Sequence, residues 1–184
     1  MKTRCAWAKD DLNIEYHDNE WGKPQHDDCK LFEFLILEGA QAGLTWSTIL
    51  KRRDGYRKAF SNFDPLKVSK YSSKHVEKLL CNPEIIRNKL KINSAINNAK
   101  QFLKIQKEFG SFDKYVWSFV NHRPIINNFK KNIDLPASTD ISKKMSSDLK
   151  NHGFNFVGPT ICYAFMQAIG MVNDHTSECF RFKK

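Results

Sequence analysis

The stretch Cys5 to Trp21 reads Cys-Ala-Trp-Ala-Lys-Asp-Asp-Leu-Asn-Ile-Glu-Tyr-His-Asp-Asn-Glu-Trp, and it limits what this chain can fold into more than any other. It packs a thiol, an imidazole, three large aromatic rings and several carboxylates close to an end of the chain. Chain ends are poorly ordered unless something ties them down. A tie is available near the other end, in Asn-Asp-His-Thr-Ser-Glu-Cys from Asn173 to Cys179. Eleven residues separate Cys5 from His17 and three separate His175 from Cys179, and together the four have the Cys2His2 composition of a closed structural zinc site. A second reading stays open: two unrelated buried cysteines and two surface histidines. The His-x3-Cys spacing, suited to adjacent turns of a helix or loop, leans toward the metal.

A chain of 184 residues with 41% hydrophobic and 12% aromatic residues can bury a real core, as one domain or as two helical lobes with a pocket between them. The longest apolar run, Leu31 to Leu37, is too short to cross a bilayer, and no signal-peptide core is evident, so a cytoplasmic, membrane-free protein is expected. Cys5, Cys29, Cys81, Cys162 and Cys179 are odd in number and scattered, unlike a disulfide framework. The formal net charge of +10 suits a polyanion such as nucleic acid. However, the 23 lysines against 7 arginines also fit simple compositional drift.

The patterning is helical nearly throughout and specifies an all-α protein. Asp27 and Asp28 cap a helix with Leu31, Phe34, Leu35 and Glu38 on one face, closed by Gly39. Thr45 caps the next, and Asp64-Pro65 opens another. A short helix spans Ser73 to Leu80. Ile92, Ala95, Ile96, Ala99, Phe102 and Leu103 recur at three- and four-residue steps and predict a helix over Lys89 to Phe109. Ser111 caps a helix over Phe112 to Val120, and Asn121 to Pro136 reads as a basic loop. Ser138 or Thr139 opens a helix that ends at Gly153, and Pro159 opens the last. No run of four or more residues alternates as a strand.

Three features could carry chemistry. Leu149-Lys-Asn-His-Gly153-Phe154-Asn155-Phe156-Val157-Gly158-Pro159-Thr160 has the wording of a helix-hairpin-helix turn. The free N–H groups of such a turn bind phosphate without regard to sequence, although an ordinary interhelical turn reads the same way. Glu38 ends an almost wholly apolar helix. It is either a desolvated carboxylate in need of a cation or donor, or a helix-end glutamate turned to solvent. Trp7, Tyr16, Trp21 and Trp46 could stack on a base, at about 1–3 kcal/mol per stack, or could be core residues, the reading favoured for Trp21 and Trp117.

At these residues the chain resembles bacterial DNA-3-methyladenine glycosylases of the constitutive type, the I family of the helix-hairpin-helix superfamily. The resemblance runs essentially end to end. It rests on Tyr16-His-Asp-Asn-Glu-Trp-Gly22, Leu37-Glu-Gly-Ala-Gln-Ala-Gly-Leu-Thr-Trp46, Trp117-Ser-Phe-Val-Asn-His122, Phe156-Val-Gly158 through Ile161-Cys-Tyr163, and Val172-Asn-Asp-His175. It implies one structural zinc on Cys5, His17, His175 and Cys179, pinning the two ends together. It implies a base pocket of Trp7, Tyr16 and Trp46, with Glu38 as the catalytic carboxylate touching the base. Asn13 would share in that pocket, at a position where relatives often carry tyrosine. Gly153, Phe154, Val157, Gly158 and Thr160 would grip the DNA backbone, while Gly43 and Leu44 would enter the gap left by the extruded nucleotide.

The expected activity is therefore flipping and hydrolytic excision of 3-methyladenine from alkylated duplex DNA, without strand cleavage or a required protein partner. An ionised Glu38 and electron-rich rings would favour the cationic base. Asp174 is expected to be structural, orienting the neighbouring zinc histidine. Alternatives are a zinc-stapled DNA-binding module without catalysis, a glycosylase for a different alkylated base, and a metal-stabilised helical interaction protein.

Overall fold

A computed structural model describes residues 2–182, the side chain of Asn132 excepted. Ten helices follow one another among these residues: α1 (Asp11–Asn19), α2 (Asp28–Gln41), α3 (Trp46–Leu50), α4 (Arg53–Ala59), α5 (Pro65–Val68), α6 (Ser73–Leu80), α7 (Lys89–Phe109), α8 (Phe112–Ser118), α9 (Asp140–Asn151) and α10 (Pro159–Ala168). The caps fall where the sequence put them. Asp27 accepts from the Lys30 amide, Thr45 from Thr48, Asp64 from Leu66 and Lys67, Ser111 from Lys114, and Thr139 from Ser142. Each satisfies an amide that the first helical turn would leave orphaned.

Three differences from the sequence reading bear on the site. The crowded N-terminal stretch itself forms α1, capped by Asp10, which accepts from the Asn13 amide. The loop after α8 contains β1 (Ile125–Ile126), which pairs in parallel with β2 (Val172–Asn173). Helix α2 also runs two residues beyond Gly39, and Leu31 through Ala40 are all buried in it.

That last fact organises the molecule. Helix α2 is the central rod, packed against α3, α7, α8, α10 and the short turn over Ser61–Phe63, with Tyr16 of α1 against its Phe34. A rod covered on every side has no solvent face, so a carboxylate within it is held by the protein or faces a cavity. Phe32, Phe102, Phe112 and Trp117 fill the contact between α2 and the α7–α8 layer, each at most 1% exposed.

Candidate base pocket and metal centre

Helix α1 serves two sites through consecutive residues. His17 points to the chain ends, and Tyr16 toward the C-terminal end of α2. On the Tyr16 side lies a cavity of about 410 Å3 lined by Trp7, Tyr16, Trp21, Glu38, Gln41 and Trp46, with Leu135, Pro136, Ala164 and Gln167 completing it. The Tyr16 and Trp46 rings are 5.2 Å apart and inclined at 50°, and Trp7 stands 6.3 Å from Tyr16.

Three polar groups of this cavity are left without partners. Glu38 is 5% exposed and makes no hydrogen bond or ion pair among the described residues. Burial pushes its pKa up to about 8. Burial therefore favours the neutral carboxyl until a cation pairs with it. The Tyr16 hydroxyl and the Trp46 indole N–H are likewise buried without partners. Burial raises the Tyr16 phenol well above its ordinary range, with nearby Glu38 adding to the shift. Buried polar atoms are overwhelmingly paired, so three orphans around one cavity mark a place for a polar ligand.

Other expected members of the pocket are placed differently. Asn13 is not in the lining. Its side-chain amide donates to Asp10 Oδ2 at 2.7 Å and to Ser47 Oγ at 2.6 Å, which ties α1 to α3 behind the wall, while its Oδ1 has no partner. Trp21 is 7% exposed, as expected of a core residue, yet one edge also reaches the cavity. Leu135, Pro136, Ala164 and Gln167 lie outside the motifs, and Gln41 lies within one that gave it no role, so the sequence did not suggest them as lining.

On the His17 side, Cys5, His17, His175 and Cys179 converge, with their ligand atoms all within 4.8 Å of one another. Cys179 Sγ lies 3.4 Å from His17 Nε2 and 3.5 Å from His175 Nδ1, and Cys5 Sγ lies 3.6 Å from His175 Nδ1. A tetrahedral ion with ordinary sulfur and imidazole bond lengths needs nitrogen–sulfur edges of about 3.5 Å, so the four donors fit one ion. The ring nitrogens facing away are also held. His17 Nδ1 donates to Asp18 Oδ1 at 2.8 Å, and Arg4 grips that carboxylate in turn. His175 Nε2 donates to the Trp21 carbonyl at 3.2 Å. These contacts fix each tautomer with its inner nitrogen free to ligate.

Asp174 does not orient His175 in this way. It is 1% exposed and accepts from Tyr163 Oη at 2.6 Å and from Gln167 Nε2 and Asn127 Nδ2 at 2.7 Å. It therefore joins α10 to the β1 strand and fixes Gln167, a lining residue.

The turn between α9 and α10 carries the glycines the sequence singled out. Gly153 sits at φ +84°, a conformation that resists any side chain, and Pro159 occupies the first position of α10. Gly158 caps α10 without a side-chain bond, and a Cβ built there would meet nothing within 4 Å, so the Gly158 cap faces open space. Thr160 is exposed beside it. Phe154 and Val157, expected to contact DNA, are 2% and 1% exposed, so their side chains pack inward. Helix α7 steadies the turn: Asn97 donates to the Gly153 carbonyl at 2.7 Å, and Asn98 exchanges two 2.8 Å bonds with the Asn155 backbone. After α2, Gly43 adopts φ +76° and Leu44 is 40% exposed.

Comparison with known proteins agrees with this geometry. The Methyladenine glycosylase family model matches residues 6–182. The DNA-3-methyladenine glycosylase of Haemophilus influenzae is 46% identical over 180 residues, covering 97% of each chain. DNA-3-methyladenine glycosylase 1 of Escherichia coli is 49% identical over 177 residues, covering 96% of this chain and 95% of its own. A 3-methyladenine DNA glycosylase I from Staphylococcus aureus, solved to explain 3-methyladenine recognition, superposes with a TM-score of 0.95 at 36% identity, covering 98% of this chain and 97% of its own. The chain belongs to the methyladenine glycosylase family.

Proposed function

We propose that the protein is a DNA repair N-glycosylase that excises 3-methyladenine from alkylated duplex DNA. The observation that carries this reading is the partnerless Glu38 carboxyl, buried beside the unpaired Tyr16 hydroxyl and Trp46 N–H at the head of a ring-walled cavity. A flat, cationic, hydrogen-bonding base meets each of those needs.

Methylation at N3 puts a positive charge on adenine, so the bond to deoxyribose is already weak and the base leaves neutral. The enzyme then needs little general-acid power, and selective binding of the charged base supplies most of the acceleration. As the lesion enters, Glu38 releases its proton to solvent and pairs with the cation, while the faces of Tyr16, Trp46 and Trp7 favour it over neutral adenine. Water completes the displacement through an oxocarbenium-like state. The lining residues include no lysine to attack the sugar, so the product is an abasic site with the strand intact.

The remaining parts serve that pocket. Gly153 and the Gly158–Thr160 turn bind backbone phosphate through main-chain N–H groups. Gly43 and Leu44 fill the space vacated by the flipped nucleotide. One zinc ion held by Cys5, His17, His175 and Cys179 closes the chain ends on each other and takes no part in bond cleavage. The net charge of +10 favours association with the polyanion.

Incubation with methylated duplex DNA, followed by chromatography of the freed bases and a nicking assay, tests the reading. Release of 3-methyladenine without nicks is expected. Binding without base release would make the protein a zinc-stapled DNA module, and release of another alkylated base instead would reassign the substrate.

A further inference from the structure

Lys91 lies in the first turn of α7, and the activity described above gives it no role. Its Nζ is 2.7 Å from the Ala40 carbonyl and 2.7 Å from the Ala42 carbonyl. These two oxygens bracket the end of α2, where backbone carbonyls lack helical partners and the dipole favours a cation. The next residues are Gly43, at φ +76° with open space where a Cβ would sit, and Leu44, whose N–H donates to the Gln41 carbonyl at 2.6 Å. Lys91 therefore holds the base of the turn that presents Leu44.

The same helix grips the hairpin two turns later, through Asn97 on Gly153 and Asn98 on Asn155. Six to seven helical residues separate the two grips, a rigid span of about 10 Å. The end of α2 also meets the hairpin directly, since a Cβ at Gly39 would lie 3.3 Å from Phe156 Cβ. A single helix thus sets both the leucine turn and the backbone-gripping turn, and Lys91 is its contact with the former.

We propose that Lys91 is a positioning residue for base extrusion, fixing the Gly43–Leu44 turn at the register that the hairpin imposes on the duplex. The proposal rests on the reading of Gly43 and Leu44 as the wedge. Only duplex substrate needs a wedge, because a base in a single strand is already unpaired.

The test compares excision from methylated duplex and from methylated single strands, using Lys91→Met, Lys91→Arg and Leu44→Ala. The duplex-to-single-strand ratio within one preparation does not depend on how much of it is folded. Lys91→Met keeps the aliphatic stem and removes both donors, and it should lower that ratio about tenfold, the effect of losing charge-assisted bonds that hold the turn. Lys91→Arg, which can still donate to both carbonyls, should restore most of it. Leu44→Ala should match Lys91→Met. An unchanged ratio in Lys91→Met beside a lowered one in Leu44→Ala would overturn the role of Lys91 and leave the wedge standing. Equal losses on both substrates in Lys91→Met would make Lys91 a support of the fold or pocket and overturn the proposal as well. An unchanged ratio in Leu44→Ala would remove the wedge itself, and the proposal with it.

Discussion

The two ends of helix α1's influence make an instructive pair, because Tyr16 and His17 are neighbours in the chain and enter opposite kinds of site. Around His17 the polar atoms face one another: the four ligand atoms lie within 4.8 Å, and Asp18 and the Trp21 carbonyl hold the outer ring nitrogens. Around Tyr16 the polar atoms are buried and unengaged, with Glu38, the Tyr16 hydroxyl and the Trp46 N–H all lacking partners. The closed set has the donors that one ion would complete, and such an ion would stabilise the fold. The open set carries a desolvation cost that a charged, planar ligand relieves. Adjacent residues of one helix thus place a staple against a wall that must not shift.

The largest effect should come from breaking the staple. Cys5→Ser removes one of four ligands and should destabilise the protein by about 4 kcal/mol or more, with loss of bound zinc, measured by denaturation midpoint and metal content. Excision per folded molecule should fall only severalfold. Abolished cleavage at unchanged stability would show that the two sites are not divided as described.

Glu38→Gln breaks the other member of the pair. Excision of 3-methyladenine should fall on the order of 10²-fold, the scale of losing one electrostatic partner of a developing or resident charge. Stability should move the opposite way. The folded-state pKa of Glu38 stands at about 8, above its ordinary 4.5, so the folded protein keeps a proton that the unfolded chain releases. Wild-type stability should therefore decline as pH rises from about 4.5 to about 8. Glu38→Gln should lack that decline and be more stable by a few kcal/mol at pH 8, read from urea unfolding across that range.

Smaller effects sharpen the boundary between the sites. Asn98→Ala leaves the Asn155 amide and carbonyl unpaired; it should weaken duplex binding severalfold without altering free-base affinity, as measured by titration of each. Asp174→Asn should be mildest. It retains one acceptor for Tyr163, Gln167 or Asn127 and should cost about 1–2 kcal/mol, with zinc content unchanged and excision within severalfold.

The parts of this design that were legible in sequence share a physical reason. Helix α7 was read to its ends because its apolar stripe and the glycine that follows, Gly110, agree, and the turn between α9 and α10 because it needs glycine. Cys5, His17, His175 and Cys179 were legible from donor type, the His-x3-Cys spacing and the family resemblance together. Lys91, Asn97 and Asn98 were missed because they occupy polar positions of an amphipathic helix and bond to backbone carbonyls, which leave no mark on the sequence. Strands β1 and β2, two residues each, are too short to alternate. Glu38 on its own reads equally as a solvent-facing helix end; its burial depends on the layers that cover α2. Phe154 and Val157 sit in a turn proposed to bind through main-chain groups, a role that leaves their side chains free to pack inward.

The central claim is that Glu38 waits unpaired in a desolvated pocket for a cationic base. Titration of its carboxyl carbon by NMR in the ligand-free protein tests this most directly. A midpoint near pH 8 is predicted, and a midpoint near the ordinary 4.5 would contradict the account.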